Sequence, residues 1–353
     1  MYRRDNERLR PFRDGAKIRS CGCWRPLQRA IVDFAADQPF ALARAKLREH
    51  YGFNIGESTI QRVAFDHAKA IHENERPCAE FPEKPGRHKT IVAQTDGGMI
   101  PVVETDPGQK DRRKGKKLLW KEAKLSLARA KGSKTPVYAA MINGGVDKAG
   151  AQLFDCAMRA GFGADSRVHA VGDGAPWIVG QIEERFGAQG RYLIDFYHVC
   201  EYLAAASTAV CADPAARERW VEARKQALRS GNAEAVLQAL APHVEPEATA
   251  DDDAPARRCQ RYLSARREQL FYDEALAAEL PIGSGEIESA HRYVAQQRLK
   301  RPGAWWKVEH AEYMLSLRVL RINGDWEKYW SDPQARAAPA NHNSPKDSNA
   351  RAA

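Results

Sequence analysis

The chain has 353 residues, enough for two or three domains, and 43% of them are apolar, enough to build hydrophobic cores. Its formal net charge of +9 favours a polyanionic partner such as nucleic acid. Seven scattered cysteines exclude a disulfide framework and favour a reducing cytoplasm, and no run approaches the ~18 apolar residues of a membrane span.

Residues 1–80 carry helical patterns. Apolar positions between Arg25 and Phe34 repeat on one helix face, and a second helix is predicted from about Pro39 to Tyr51. A turn over 52–55 then leads to a third helix, for which Ser58 is the predicted N-cap. Helix, glycine-containing turn and capped helix form the helix-turn-helix pattern, but an ordinary αα-hairpin fits it equally well.

The third helix would be the one that enters the major groove of DNA. The residues of this helix predicted to contact DNA are Thr59, Gln61 and Arg62, and Asp66 is predicted to face outward as well. The residues predicted to pack inward are Ile60, Val63 and Ala64.

A proline-rich linker is predicted over 76–89, and a mixed α/β region follows it. Its predicted strands are 90–95, 100–103, 118–127, 136–142, 167–171 and 192–195. Gly97 and Gly98 are predicted to form the turn between the first two strands. Helices are predicted over 149–160, from Pro176 and from about Tyr197.

The next segment, up to about Leu280, is rich in alanine, arginine and glutamate and has no strand signal, which predicts a helical insertion. Two more helices are predicted, from Ser284 to about Leu299 and from about Trp305 to Arg321. The predicted organisation is a helix-turn-helix domain over 1–80, an α/β catalytic domain over 90–206, a helical insertion over 207–281, C-terminal catalytic helices over 282–330 and a disordered tail over 331–353.

Three carboxylates stand where a metal site can form. Asp96 and Asp173 each follow a β-branched apolar run, and Glu288 lies in the first turn of a predicted helix. Such oxygen donors suit Mg²⁺ or Mn²⁺, and two ions about 3.5–4 Å apart can activate a nucleophile and stabilise a leaving oxygen. Taken singly, the two aspartates are also consistent with turns and the glutamate with a surface charge. Glu286 lies on another face of the same helix, and the spacing does not choose between it and Glu288.

The chain resembles the DDE transposases of bacterial insertion sequences, most closely the ISKra-type group, from about Arg10 to Trp330. The stretches that carry the resemblance are Arg25–Gln28, Gln94–Gly98, Trp120–Glu122, Val171–Ala175, Asp195–Val199, Gly283–Ser289, Arg298–Gly303 and Trp305–Trp306. The group has a helical insertion between the second aspartate and the glutamate.

The resemblance implies a ribonuclease H-like catalytic domain of mixed α/β class, with Mg²⁺ or Mn²⁺, two ions in all, on Asp96, Asp173 and Glu288. It selects Glu288 rather than Glu286. Asp195 and His198 match a supporting D-x-x-H element, and one helical turn separates them, so that their side chains could hydrogen-bond. A satisfied core histidine is the alternative for His198.

Two basic clusters are predicted to contact DNA phosphates. The first is a basic hairpin tip with Arg112, Arg113, Lys114, Lys116 and Lys117. The second, after Glu288, contains Arg292, Arg298, Lys300 and Arg301. Trp305 and Trp306 are predicted either to stack on an unpaired base or to be core residues.

The predicted function is a transposase that binds the terminal inverted repeats of its element, cleaves DNA strands and joins them to target DNA. By resemblance, it works on double-stranded DNA as a homodimer or larger assembly, without a membrane, in the bacterial cytoplasm at the nucleoid. The alternatives are a ribonuclease H-like endonuclease without strand transfer and a catalytically inactive DNA-binding protein.

Overall fold

The computed structural model describes residues 2–4, 7–9, 23–78, 80–106, 108 and 115–332. The chain divides into two compact units, one formed by Met1–Glu75 with Glu309–Ala353 and the other by Arg76–Val308. The predicted tail over 333–353 lies outside the described residues.

The first unit contains the helices Arg25–Asp37, Phe40–Tyr51, Glu57–Glu73, Val308–Ile322 (from Glu309 on) and Trp326–Ser331. It also contains two short antiparallel strands, β1 (Tyr2–Arg4) and β2 (Glu7–Leu9). The prediction of helix throughout residues 1–80 is therefore wrong at these strands. A three-residue strand is too short for hydrophobic periodicity to reveal.

The third helix begins at Glu57, with Gly56 at its N-cap and no side-chain cap. The prediction that Ser58 caps it is wrong, because Ser58 already lies inside the first turn. The predicted inward residues Ile60, Val63 and Ala64 are fully buried, as expected. Of the predicted DNA-contacting residues, Gln61 and Arg62 are exposed and Thr59 is half-buried.

The helix Val308–Ile322 was predicted to belong to the catalytic domain, but it packs with the first N-terminal helix. Arg318 donates to Asp37 at 2.7 Å, and Arg321 donates to Asp33 at 2.8 Å and to Asp37 at 2.7 Å. These ion pairs join segments far apart in the chain. No local sequence pattern could predict them.

The second unit is built on a five-stranded mixed sheet with the order β5-β4-β3-β6-β7. Its strands are β3 (Thr90–Thr105), β4 (Lys116–Ala130), β5 (Val137–Met141), β6 (Arg167–Gly172) and β7 (Gly190–Ile194). The pairs β3–β4 and β4–β5 are antiparallel, whereas β3–β6 and β6–β7 are parallel. The first strand of this sheet, β3, is therefore central.

The strand β3 runs without interruption through Gly97 and Gly98, so the predicted turn there is wrong. Its ladder with β4 continues to the pair Thr105 and Lys116, and the Asp106 N–H donates to the Gly115 carbonyl at 2.9 Å. The chain therefore reverses between Asp106 and Gly115, and not at the glycine pair. Of the predicted basic run, Lys116 and Lys117 lie on β4.

The remaining helices of this unit cover the sheet and form the insertion. They are Val146–Arg159, Pro176–Phe186, Phe196–Val210, Pro214–Arg229, Ala233–Leu240, Pro255–Ser264, Tyr272–Ala277, Gly285–Ala290 and Gln297–Leu299, with short 3₁₀ turns at Gly187–Gln189, Ala241–His243, Asp251–Asp253 and Arg267–Gln269. The described segment 207–281 contains helices and no strand, as predicted for the insertion. A π-helical turn, His291–Gln296, joins the two helices that follow Pro281.

Among the residues that the structure describes, we find no helix with the length and apolar character needed to cross a lipid bilayer.

Candidate active site

The parallel pairing of β3 with β6 brings two of the predicted acids to one edge of the sheet. Pairing ends at Ala93 and Ala170, and Asp96 and Asp173 each stand three residues beyond these partners. Because parallel strands advance in step, the two aspartates lie at equivalent positions where the strands diverge.

The pKa of Asp96 is shifted by its burial and by the charges around it. Burial raises the pKa of Asp96, and the negative charges of Asp173 and Glu288 raise it further. The charge of His291 and a hydrogen bond from the Gly97 backbone N–H oppose this rise in pKa. Asp173 and Glu288 therefore both lie close enough to act on Asp96, although they are themselves exposed.

His291 is a site residue that the sequence prediction missed. Its Nε2 lies 3.5 Å from Asp96 Oδ2 and 3.3 Å from the Asp96 carbonyl oxygen, and only 5% of the residue is exposed. Burial lowers the pKa of His291 despite the nearby Asp96 and Glu122 carboxylates. The available signal was its spacing, since His291 follows Glu288 by three positions and shares its helix face.

The two glycines after Asp96 make room for neighbouring side chains. A Cβ at Gly98 would lie 2.6 Å from His291 Nδ1, and a Cβ at Gly97 would overlap the Glu122 carboxylate. Gly97 and Gly98 therefore permit close approach to the strand and do not reverse it.

Gln94 holds the glutamate helix against β3. The buried Gln94 amide oxygen accepts a hydrogen bond from the Ile287 N–H at 3.0 Å, and its amide nitrogen donates to the Gly283 carbonyl at 3.4 Å. The neighbouring Ile287 is 1% exposed and anchors the same turn in the core. Gln94 thus fixes the start of the helix that carries Glu288.

Asp195 links a second helix start to the same segment. The residue is 3% exposed, and its Oδ1 accepts from the N–H groups of Tyr197 at 2.6 Å and His198 at 3.2 Å. Its Oδ2 accepts from the Ser284 N–H at 2.6 Å and from the Ser284 hydroxyl. Asp195 therefore positions the loop before Glu288.

The predicted side-chain bond between Asp195 and His198 is not made. Asp195 uses the backbone N–H of His198, while the imidazole Nδ1 lies 3.4 Å from Glu201. The Asp195 carboxylate already accepts hydrogen bonds from the backbone N–H groups at the start of this helix, and the His198 imidazole is not one of its partners. The His198 ring instead packs edge-on against Tyr202 and Tyr262.

Residues of the helical insertion hold the loop that carries Asp173. The Tyr262 hydroxyl donates to the Asp173 carbonyl at 2.7 Å, and Arg266 donates to the Gly174 carbonyl at 3.2 Å. Gly174 has a φ of +85°, and a Cβ there would lie 2.7 Å from the Tyr262 hydroxyl oxygen. The Tyr202 ring stacks on Tyr262 with centroids 4.2 Å apart. Tyr262 and Arg266 of the insertion therefore hold the backbone of the Asp173 loop in place, and we call these contacts the brace.

We expect Tyr262→Phe to lower the free energy of unfolding by about 1 kcal/mol, because the Asp173 carbonyl loses its hydrogen-bond donor. Urea unfolding followed by circular dichroism measures this change. Tyr272→Phe is the matched control, since the buried Tyr272 hydroxyl has no hydrogen-bond partner among the described residues and its removal should cost nothing. Equal losses in the two variants would contradict the proposed brace.

Glu286 is engaged elsewhere. Arg129 binds its carboxylate through Nε at 2.8 Å and through Nη2 at 2.5 Å. Both residues line a cavity of about 730 Å³ that also includes Lys131 and Tyr293 but none of the three acids. This ion pair favours Glu288 over Glu286 as the third acid of the site.

The predicted DNA-contacting residues of this unit have different environments. Lys116, Lys117, Arg292, Lys300 and Arg301 are exposed. Arg298 is only 2% exposed, with its guanidinium 4.7 Å from the centre of the Trp306 ring. The prediction that Arg298 contacts phosphate is therefore wrong for this conformation, because helix periodicity turns it into the core. Arg112, Arg113 and Lys114 lie outside the described residues.

In the part of the chain that the structure describes, no group of three or more His, Cys, Asp or Glu side chains is arranged to hold a metal ion. Asp173 and Glu288 are near enough to affect the pKa of Asp96, but the three side chains are not arranged as a set of metal ligands.

A model of an uncharacterised protein family (UPF0236) matches residues 162–331. The match covers just under half of the chain, and it includes Asp173, Asp195, the helical insertion and Glu288 but not Asp96. No curated protein matches the chain. The chain is thus similar to UPF0236 over the segment that supplies two of the three acids.

Proposed function

We propose that the chain is a DDE-type DNA transposase, which cleaves DNA at the ends of its element and joins the freed ends to target DNA. The observation that carries this proposal is the position of Asp96 and Asp173, each three residues beyond the last pair of the β3–β6 ladder, with Glu288 close enough to raise the pKa of Asp96. The positions of Asp96 on the first strand of the sheet and Asp173 after its fourth strand support a ribonuclease H-like arrangement.

The donor set fits Mg²⁺ or Mn²⁺, because carboxylate oxygens are the ligands these ions prefer. The raised pKa of Asp96 indicates negative charge that a divalent cation would offset. Asp96, Asp173 and Glu288 would hold two such ions. Bound there, the ions would lower the pKa of an attacking water and neutralise charge on the phosphate.

The reaction has two steps of the same kind. In the first, a water oxygen bonds to a phosphorus at the element end, and the phosphorus bond to the 3′ oxygen breaks, leaving a 3′-OH. In the second, that 3′-OH loses its proton and bonds to a target phosphorus, and the target's own 3′ oxygen leaves. The residues Gln94 and Asp195 keep the third acid in place during both steps, and Tyr262 does so for the second acid.

DNA recognition is assigned to exposed groups of both units. Thr59, Gln61 and Arg62 on the third N-terminal helix would read the terminal repeats. The exposed cations would contact phosphates, namely Lys116, Lys117, Arg292, Lys300 and Arg301. Bringing two element ends together requires at least a dimer. The protein would act at the nucleoid in the bacterial cytoplasm.

The test uses the purified full-length chain and DNA that carries the element ends. These ends are sought in the DNA that flanks the gene, where we expect short inverted repeats bracketed by a direct duplication. With Mg²⁺ or Mn²⁺ we expect cleaved strands and strands joined to a target plasmid, and excess EDTA should abolish both products. Cleavage without joining would favour the endonuclease, and end binding without cleavage would favour the inactive DNA-binding protein.

A further inference from the structure

Two tryptophans of the second unit are exposed to an unusual degree. Trp120 is 51% exposed and Trp305 is 60% exposed, whereas large aromatic side chains normally bury most of their surface. Nearby on the same strand as Trp120, Leu118 is 54% exposed. Exposed apolar side chains that lie together on a protein surface often mark a binding site.

A lysine ammonium group lies close to each of these two tryptophan rings. The Lys116 ammonium lies 5.4 Å from the centre of the Trp305 ring, and the Lys300 ammonium lies 5.3 Å from the centre of the Trp120 ring. Both lysines are exposed. We call these four residues, Trp120, Trp305, Lys116 and Lys300, the stacking platform.

The core holds the platform in place. Trp306, next to Trp305, is 5% exposed, and its carbonyl accepts a hydrogen bond from the Val103 N–H of β3 at 2.7 Å. Arg298 lies over the buried ring of Trp306. Of the two adjacent tryptophans, the second therefore anchors the segment to the strand, and the first is left at the surface.

We propose that the stacking platform binds unpaired nucleotides of a DNA strand. An aromatic plane beside an ammonium group matches a nucleotide, whose base stacks on the ring while its phosphate meets the cation. Paired bases inside a duplex cannot offer their faces to a ring. The cores of protein interfaces are depleted in lysine, so the paired lysines argue against a protein partner.

The platform is a site separate from the acids. Trp120 pairs with Pro101, which stands five residues, about 17 Å, along β3 from Asp96. Because successive side chains alternate, Pro101 and Trp120 point to the strand face opposite to that of Asp96. This inference rests on the proposed action on DNA. Loss of the platform should raise KM for DNA that contains unpaired nucleotides and leave kcat nearly unchanged.

The experiment measures equilibrium binding by fluorescence anisotropy, with the full-length protein in EDTA so that no strand is cut. The probes are a labelled short oligothymidine and a duplex of the same length, at one low salt concentration. We expect Trp120→Ala and Trp305→Ala each to weaken oligothymidine binding about tenfold and duplex binding much less. Trp120→Phe should restore most of the affinity. Trp24→Ala, at a tryptophan 53% exposed in the first unit, is the matched control and should change nothing.

Unchanged oligothymidine binding by both alanine variants would overturn the inference. So would equal losses for oligothymidine and duplex, which would indicate a charge effect alone. Failure of the proposed chemistry has a different signature, namely an Asp173→Asn variant that cleaves DNA normally. The platform can then still be judged, because its test involves no cleavage.

Discussion

Asp96→Asn should lower metal-dependent DNA cleavage at least about 1000-fold and yet leave the protein as resistant to urea as the wild type, or more so. The activity falls because the site loses an anionic ligand, and several kcal/mol of transition-state stabilisation correspond to factors of ten for each 1.4 kcal/mol. Cleavage of element-end DNA and urea unfolding in EDTA measure the two effects on one preparation.

Stability is not expected to fall, since the Asp96 carboxylate is largely buried and also lies near two like charges, both of which raise its pKa. Asparagine has nearly the same shape and retains an oxygen that can accept the Gly97 N–H, but it ends the repulsion with Asp173 and Glu288. The charge of His291 opposes the rise in the Asp96 pKa but does not reverse it. The contact of His291 with the Asp96 backbone carbonyl is unaffected by the substitution.

The pH dependence has a definite sign. The folded-state pKa of Asp96 is raised above its unfolded value of about 3.9, so the stability that its protonated form contributes is present below that pH and is lost as the pH rises through the raised pKa. In cation-free buffer, the stability of Asp96→Asn relative to the wild type should therefore increase with pH over this range.

Glu286→Gln is the matched control for neutralising a carboxylate in this region. Glu286 is bound by Arg129, so removal of its charge should lower the urea midpoint, the opposite sign to that expected at Asp96. A destabilised Asp96→Asn variant would contradict the cost that burial and the two neighbouring carboxylates impose on the charge of Asp96. Full cleavage activity of that variant would contradict the proposed chemistry.

Much of this site was predictable because its signals are local. An apolar run followed by Asp173 or Asp195 predicts a strand that ends in an acid, and Pro176 predicts the helix start that the structure confirms. The parallel register of β3 and β6 then brings Asp173 beside Asp96, which lies within β3 just beyond the last pair of that ladder.

The wrong predictions come from sequence patterns that can arise for two different physical reasons. Glycine pairs occur in turns and also where side chains approach the backbone closely, and Gly97 with Gly98 belongs to the second class. A cationic residue near an active site suggests phosphate contact, but Arg298 is buried against Trp306. The bond from Tyr262 to the Asp173 loop joins residues distant in the chain, and only the folded structure reveals it.

Asp195→Ala should lower the free energy of unfolding by about 3 kcal/mol and reduce DNA cleavage more than about tenfold. The buried carboxylate accepts hydrogen bonds from the N–H groups of Tyr197, His198 and Ser284 and from the Ser284 hydroxyl. Alanine leaves these donors without their acceptor, and an unsatisfied buried donor costs more than the bond itself contributes. Cleavage falls because the segment before Glu288 loses its anchor.

Asp213→Ala separates this role from helix capping in general. Asp213 caps the following helix by accepting the Ala216 N–H at 2.8 Å, but it is exposed and holds no second segment. Its replacement should cost about 1 kcal/mol and leave cleavage unaltered. Asp195→Asn retains one acceptor oxygen and should fall between the two alanine variants in stability. If Asp195→Ala cost no more than Asp213→Ala, Asp195 would be an ordinary helix cap, and the position of Glu288 would have to depend on Gln94 and the buried Ile287.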